Sequence, residues 1–290
     1  MRKEFPAAVF AAAAVLLSAA CIMVMDPETD SSWQPRGEFR KTFDLQPGGT
    51  VSVENAAGNV EITGWEKDAV EVVAQGTDGE GAKKRKVRAY GFWELKPDVE
   101  VKRSDGGLVI RTRPSDGPGE GEPAAVDYMI RVPNSVLLRG VRIGDGNLTV
   151  ADVFGRLEAS LENGDLHVVN FSGSIDASVG AGAIDVEALD LRSDDAISLS
   201  SEEGDIVLRL EPGTSADLDA EAPRAEVRSD LDPGVKTPAP RVKGRMGDGG
   251  ADIRLSAANG RIEILAVKDA PGAASGPITP RRGSHGRSQP

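Results

Sequence analysis

The 290-residue chain has one cysteine, two histidines and few aromatic side chains, 4% of the total. A lone cysteine, Cys21, excludes an intramolecular disulfide, so a packed core must hold the fold. It also removes cysteine-based zinc sites and any thiol nucleophile beyond residue 21. With only His167 and His285 available, a Ser-His-Asp triad inside the body of the chain depends on His167. Basic side chains are outnumbered, 34 Lys and Arg against 46 Asp and Glu, and the resulting charge of −12 excludes general nucleic-acid binding, because phosphate contacts need a basic face. The 34 glycines and 18 prolines fall below low-complexity levels and exclude collagen and a long coiled coil. What remains, 39% apolar and 28% charged residues, is enough to bury a core built from short elements and many turns.

The N-terminus carries an export signal. Arg2 and Lys3 form a positive start, and Phe5 to Leu17 is an Ala, Val and Leu-rich run. The run ends in Leu17-Ser18-Ala19-Ala20-Cys21, which resembles a bacterial lipobox, although Leu17 sits one place further back than usual. Cys21 is therefore the expected lipidation site. Apolar residues continue through Met25, so an uncleaved span of about 20 residues is an alternative, and ordinary cleavage after Ala20 is another. All three place the bulk of the chain outside the cytoplasmic membrane. The expected organisation is a signal peptide over 1–20, a lipid anchor and tether over 21–37, a repeat domain over 38–267, and a disordered tail over 268–290.

The repeat is read from glycine. Apolar residues seven and five places before a glycine, and two and four after it, occur around Gly58, Gly106, Gly164, Gly182, Gly204 and Gly260, and Gly146 fails only at Arg139. Chance alone would give about 0.8 complete matches among 34 glycines. Each unit is two stretches of period-2 alternation around a turn, hence two short strands with one buried face. The glycine is expected to supply the positive φ of a tight turn.

Marker glycines 146, 164, 182 and 204 are 18, 18 and 22 residues apart. A unit this short cannot bury its own apolar face, but stacked copies can. The expected fold is all-β, a right-handed parallel β-helix or solenoid with coils of about 18–22 residues. Val150, Val168, Val186 and Leu208 would form one interior ladder, with Thr149, His167, Asp185 and Val207 outside. An antiparallel array of hairpins, or a β-sandwich, is the alternative, since Asn163-Gly164 and Asn259-Gly260 are good hairpin turns. The gap from Gly106 to Gly146 leaves room for two coils around the alternating Val126 to Val132 segment. The gap from Gly204 to Gly260 leaves room for a degenerate coil over Leu218 to Val227.

Gly48-Gly49-Thr50-Val51-Ser52-Val53-Glu54-Asn55, then Gly58-Asn59-Val60-Glu61-Ile62-Thr63-Gly64-Trp65 and Val70-Glu71-Val72, resemble the opening of the bacterial putative-adhesin family, a domain of unknown function. Ile130-Arg131-Val132-Pro133 and the Asn163-Gly164-Asp165 step resemble its repeats. The resemblance spans about 38 to 267 and implies a right-handed β-helix-like fold on exported, often lipid-anchored proteins. It brings no catalytic residues with it.

Chemistry is sparse. His167 alternates onto the outer face, where it reads as a solvated strand histidine. Carboxylate pairs such as Asp194/Asp195 and Glu202/Glu203 are what 46 acidic residues produce by composition. Asp145, Asp165 and Asp205 beside the marker glycines could stack as calcium ligands, but the period of 18–22 residues departs from the nine-residue calcium signature, and turn chemistry in which Asp and Asn tolerate the local backbone is the expected reading. The insertion at 76–97 sets basic residues beside aromatics, and Lys84, Arg85, Tyr90 and Trp93 are the candidate ligand contacts through cation–π and stacking interactions.

The functional expectation is an exported, lipid-anchored envelope protein acting as a surface scaffold or adhesin-like binding module, non-catalytic, with no metal or cofactor. Its expected partners are the membrane, through lipidated Cys21, and an envelope polysaccharide or protein. The alternatives are a polysaccharide lyase or hydrolase on a β-helix, and an envelope-stress signalling partner.

Overall fold

The chain divides into two units, 1–35 and 36–290. The computed structural model describes residues 38–77, 99–104, 106–112, 125–231 and 239–267, all in the second unit. Cys21, the signal segment, the tether, the basic-aromatic cluster at 83–93 and the tail lie outside the described residues.

The described residues form 18 strands in one continuous sheet that winds back on itself. The chain begins with β1 (Glu38–Asp44), β2 (Thr50–Ala57), β3 (Val60–Trp65), β4 (Ala69–Thr77), β5 (Val99–Ser104) and β6 (Gly107–Thr112). The central strands are β7 (Ala125–Pro133), β8 (Ser135–Asp145), β9 (Leu148–Asn163), β10 (Leu166–Ala181), β11 (Ile184–Ala188), β12 (Ala196–Glu203) and β13 (Ile206–Leu210). The last are β14 (Ala216–Glu221), β15 (Val227–Ser229), β16 (Arg241–Met246), β17 (Ala251–Asn259) and β18 (Ile262–Ala266).

Parallel pairing decides between solenoid and hairpins. Val168 pairs in parallel with Val150 on one side and Val186 on the other, and Val186 pairs with Leu208. All four are fully buried, while Thr149, His167, Asp185 and Val207 run beside them in the same register on the outer face. The 18- and 22-residue offsets are those of the marker glycines. Each rung has a wall before its glycine turn and a wall after it, and the apolar side chains of both walls meet in one core. Burying one such Val or Leu contributes roughly 1.5–3 kcal/mol, so a repeated ladder is the main source of cohesion.

The wall after the turn stacks in the order β7, β3, β9, β10, β11, β13, β18, β15. The wall before it stacks in the order β6, β2, β8, β9, β10, β12, β17, β14. Spatial order therefore departs from chain order at both ends. The first strands to form a rung, β2 and β3, lie second in the stack, and the later β6 and β7 lie outside them. At the other end β14 and β15 take the last place, and β17 and β18 return to fill the place beneath. The degenerate coil over Leu218 to Val227 is thus a terminal rung and not a link between Gly204 and Gly260, whose strands pair directly.

The Gly106 unit is a second correction. β5 and β6 pair antiparallel across it, from Val99 opposite Thr112 to Ser104 opposite Gly107, so this match to the pattern is an ordinary hairpin. The imperfect Gly146 unit is a genuine rung. Its register shifts between Leu138 and Val141, where Gly140 has φ +69, and Leu138 takes the buried place that Arg139 would otherwise occupy.

Antiparallel strands close the stack. β4 pairs with β7, β1 with β4 and β5 with β6 at one end, and β16 pairs with β14 at the other. The exposed residues of β16 are Arg241, Lys243 and Arg245, a charged border of the kind that discourages edge-to-edge association.

Glycine at the turn is selected by space. A Cβ on Gly164 would lie 2.1 Å from the carbonyl oxygen of Gly146, one on Gly182 2.0 Å from that of Gly164, and one on Gly204 2.0 Å from that of Gly182. Gly260 repeats this at 1.9 Å from Gly204, although its φ lies outside the positive range that marks Gly164, Gly182 and Gly204. Close approach of successive rungs is therefore common to the column, and positive φ is not.

Candidate functional site

Alternation that sends apolar residues inward sends their neighbours onto a nearly continuous outer face. On the wall before the turn, the residue four places before each marker glycine forms one column: Glu54, Arg142, Ser160, Ser178, Ser200 and Ser256, in register rung by rung. The adjoining column runs Glu158, Asp176, Ser198, Arg254 and Asp219.

Charge gathers at the two ends of this face. At one end Arg111 Nε lies 2.9 Å and Arg142 Nη1 3.4 Å from the Glu54 carboxylate, and further along, on the rung that carries Ser160, Arg156 Nε lies 2.7 Å from Glu158. At the other, Asp219 receives Arg241 at 3.0 Å and Lys243 at 3.3 Å, and Asp217 receives Arg245 at 3.0 Å. The guanidinium hydrogen bonds hold Asp219 and Asp217 below the usual carboxylate range. Between the ends lie short hydroxyls, with Ser178 Oγ donating to Ser160 Oγ at 3.3 Å. Because serine is short and arginine long, the strip is recessed. It deepens into a shallow cavity of about 210 Å³ lined by Ser198, Ser200, Ser256, Arg254, Arg241 and Glu221 among others. Such a surface presents donors and acceptors together, bounded by fixed charge.

The glycine corner has its own polar ladder. Asn59 N–H donates to Asp127 Oδ1 at 2.7 Å, Asn147 N–H to Asn59 Oδ1 at 3.1 Å, and Asp165 N–H to Asn147 Oδ1 at 2.8 Å. Ala183 N–H then donates to Asp165 Oδ1 at 2.8 Å, and Arg261 N–H to Asp205 Oδ1 at 2.7 Å. Each side chain ties its rung to the next through an otherwise unpaired amide. That backbone N–H, joined by the Arg261 guanidinium, holds Asp205 below the usual carboxylate range. Asp145 accepts instead from Asn163 Nδ2 at 2.7 Å. Asp145, Asp165 and Asp205 are thus occupied by stacking hydrogen bonds, and no cluster of three metal-ligating side chains occurs among the described residues.

The remaining sequence candidates fall as follows. Lys84, Arg85, Tyr90 and Trp93, like Cys21, lie outside the described residues. His167 has a half-exposed side chain whose Nδ1 is 3.9 Å from Asp185, and Asp185 is also bound by Arg209. Asp195 is a turn residue, accepting from Arg192 N–H at 2.9 Å and Ser174 Oγ at 3.3 Å. Sequence reasoning followed the inward positions and passed over the serine column, although its fixed distance from the marker glycine is legible in the chain. It also passed over Trp65, whose indole donates to Ala69 O at 2.8 Å and lies beneath Lys67 at 4.7 Å.

Residues 141–265 match the family described as Toastrack DUF4097, which bears out the putative-adhesin resemblance and the β-solenoid-like fold. Solved structures similar to this chain include a putative cell adhesion protein from Clostridium sporogenes, with 12% identity over 79% of this chain and 100% of that one, at a TM-score of 0.44. A putative adhesin from Bacteroides fragilis shares 11% identity over 80% of this chain and 98% of that one, at a TM-score of 0.24. A putative lipid binding protein from Parabacteroides distasonis shares 10% identity over 80% and 98%, at a TM-score of 0.30. No curated protein matches the chain.

Proposed function

We infer that this chain, whose residues 141–265 match the Toastrack DUF4097 family, is a binding module of the bacterial envelope, exported and held at a membrane through a lipid on Cys21. The observation that carries the reading is the outer face of the wall before the turn. A rigid stack places a recessed strip of hydroxyls, Ser160, Ser178, Ser200 and Ser256, between two charged clusters. Polar groups fixed by the backbone lose little freedom on binding, which suits a recognition surface. The same rigidity suits a scaffold. On this reading the protein is non-catalytic, which fits the engagement of Asp219 in ion pairs and of Asp165 and Asp195 in turn hydrogen bonds.

The test is retention of envelope components by the full chain immobilised through its C-terminus. Wild type is expected to retain a defined polysaccharide or protein from envelope extract. The double variant Ser178→Glu and Ser200→Glu, which fills the strip with charge at exposed positions, is expected to lose that retention at an unchanged melting midpoint. Equal retention by both would refute this face as the binding surface, and release of new reducing ends from the extract would refute the non-catalytic reading.

A further inference from the structure

Away from the serine strip, at the corner opposite the marker glycines, lies an open depression of about 750 Å³ lined by Ser135, Phe154, Ser172, Asp190, Leu191 and Arg192. Phe154 is 44% exposed, and it and Met129 are the exposed large hydrophobic residues among those described. A phenylalanine has no polar atom to keep in water, so its exposure has no hydrogen-bonding reason. Its neighbours in register are Ser135 on one rung and Ser172 on the next, both short, and they leave the ring uncovered.

The corner around it is fixed by backbone geometry. Asp152, Asn170 and Asp190, with φ of +58°, +50° and +48°, are the positive-φ residues other than glycine among those described. Asn170 Nδ2 donates to Asp152 Oδ1 at 2.6 Å. The backbone N–H of Asp190 donates to Glu211 Oε2 at 2.9 Å, and that of Arg192 donates to Asp195 Oδ2 at 2.9 Å. These bonds pin the main chain at 190 and 192. The side chains of both residues are exposed, and neither makes an ion pair among the described residues.

We propose that this depression is a saccharide-binding site, taking one hexose unit of a hydroxylated polysaccharide. The Phe154 ring would carry the C–H face of the sugar. The Asp190 carboxylate, the Arg192 guanidinium and the Ser135 and Ser172 hydroxyls would meet its hydroxyl groups. An aromatic plane edged by a few convergent polar groups is the composition of a small-ligand site. A lipid chain has no use for the charged pair, and a peptide strand has no need of an isolated ring. The inference rests on the binding-module reading but concerns a different surface from the serine strip.

The experiment is saturation-transfer NMR on the full chain with neutral gluco-, manno- and galacto-oligosaccharides as probes. Wild type is expected to saturate the C–H protons of one sugar face. Phe154→Ala is expected to weaken binding about tenfold or more, Phe154→Trp to restore it, and Asp190→Asn and Arg192→Ala each to weaken it. Phe154 is exposed, so an unchanged melting midpoint in Phe154→Ala confirms that folding is intact. Undiminished binding by Phe154→Ala would overturn the proposal. So would a wild-type protein that binds none of the probes; if that protein still retains an envelope protein, the binding-module reading stands without this site, and if it retains nothing, both fall.

Discussion

Replacing Gly182 with alanine separates two reasons for a recurring turn glycine, and the chain supplies its own controls. A Cβ at Gly182 would lie 2.0 Å from the carbonyl oxygen of Gly164, short of the lower limit of ordinary contact, 3.4 Å, by about 1.4 Å. The rungs must part locally. The amides that bridge them there are Gly164 N–H to Ala181 O at 2.8 Å and Leu166 N–H to Ala183 O at 2.9 Å. Weakening two such bonds costs about 1 kcal/mol each, overpacking adds about 1–3 kcal/mol, and the positive φ adds about 1 kcal/mol. The sum is about 4–6 kcal/mol, or a fall in melting midpoint of about 8–24 °C for a domain of this size. Gly106 has φ +77 and nothing within 4 Å of its absent Cβ. Gly106→Ala should therefore cost only the backbone part, about 1 kcal/mol and a few degrees. Gly260 lacks the positive φ but would meet Gly204 at 1.9 Å, so Gly260→Ala should behave like Gly182→Ala. Thermal unfolding of the three variants by circular dichroism is the assay. Equal shifts for Gly106→Ala and Gly182→Ala, or a mild effect at Gly260, would refute rung spacing as the reason for the column.

The interior register is checked by a neighbouring pair: Val186→Asp puts an ion among fully buried Val168 and Leu208, costing several kcal/mol against about 5–15 kcal/mol for a whole domain, and should unfold the protein. Asp185→Val removes a partly exposed carboxylate that pairs with Arg209 and lies near His167, and should cost about 1 kcal/mol or less in the same melt. Acid should destabilise the fold. Asp205, Asp217 and Asp219 have pKa values below the ordinary 3.8, so the stability they add is present above that value and is lost as pH falls through their lower folded values; the midpoint should drop there, and Asp205→Asn should flatten that limb. Burial raises the Tyr128 hydroxyl above its ordinary 10.0, so its contribution is complete below that pH and declines as pH rises past it; a midpoint constant to well above 10 would contradict the assignment. Cys21→Ser should leave export intact and abolish labelling by a radiolabelled fatty acid and membrane retention, whereas firm attachment without label would favour an uncleaved span.

Local pattern decided a great deal here. Period-2 alternation is a property of the strand itself, so Val150, Val168, Val186 and Leu208 could be assigned inward, and His167 and Asp185 outward, with no knowledge of their neighbours. The offsets of 18 and 22 residues carried the parallel register in the same way, because a coil of fixed length returns each residue to its counterpart. The serine column was equally legible, at a constant distance from the marker glycine, but exposed polar residues look alike until a sheet sets them side by side.

Other features belonged to the tertiary structure alone. Gly106 and Gly182 satisfy the same sequence pattern, yet one closes a hairpin and the other packs against a rung below, because the pattern describes two strands and a turn without saying which strands they meet. The out-of-order rungs at both ends depend on pairings between segments far apart in the chain, such as Val51 with Leu108 and Ile253 with Leu218, for which alternation gives no address. Phe154 follows the same logic: as one outward residue in a strand it is unremarkable, and it becomes a candidate platform only because the rungs above and below it bring serines to its sides and Asp190 and Arg192 to its rim. Sequence determined the repeating coil and its inside, since both follow from the geometry of single strands; the stacking partners, the caps and the surface sites were decided by long-range pairing.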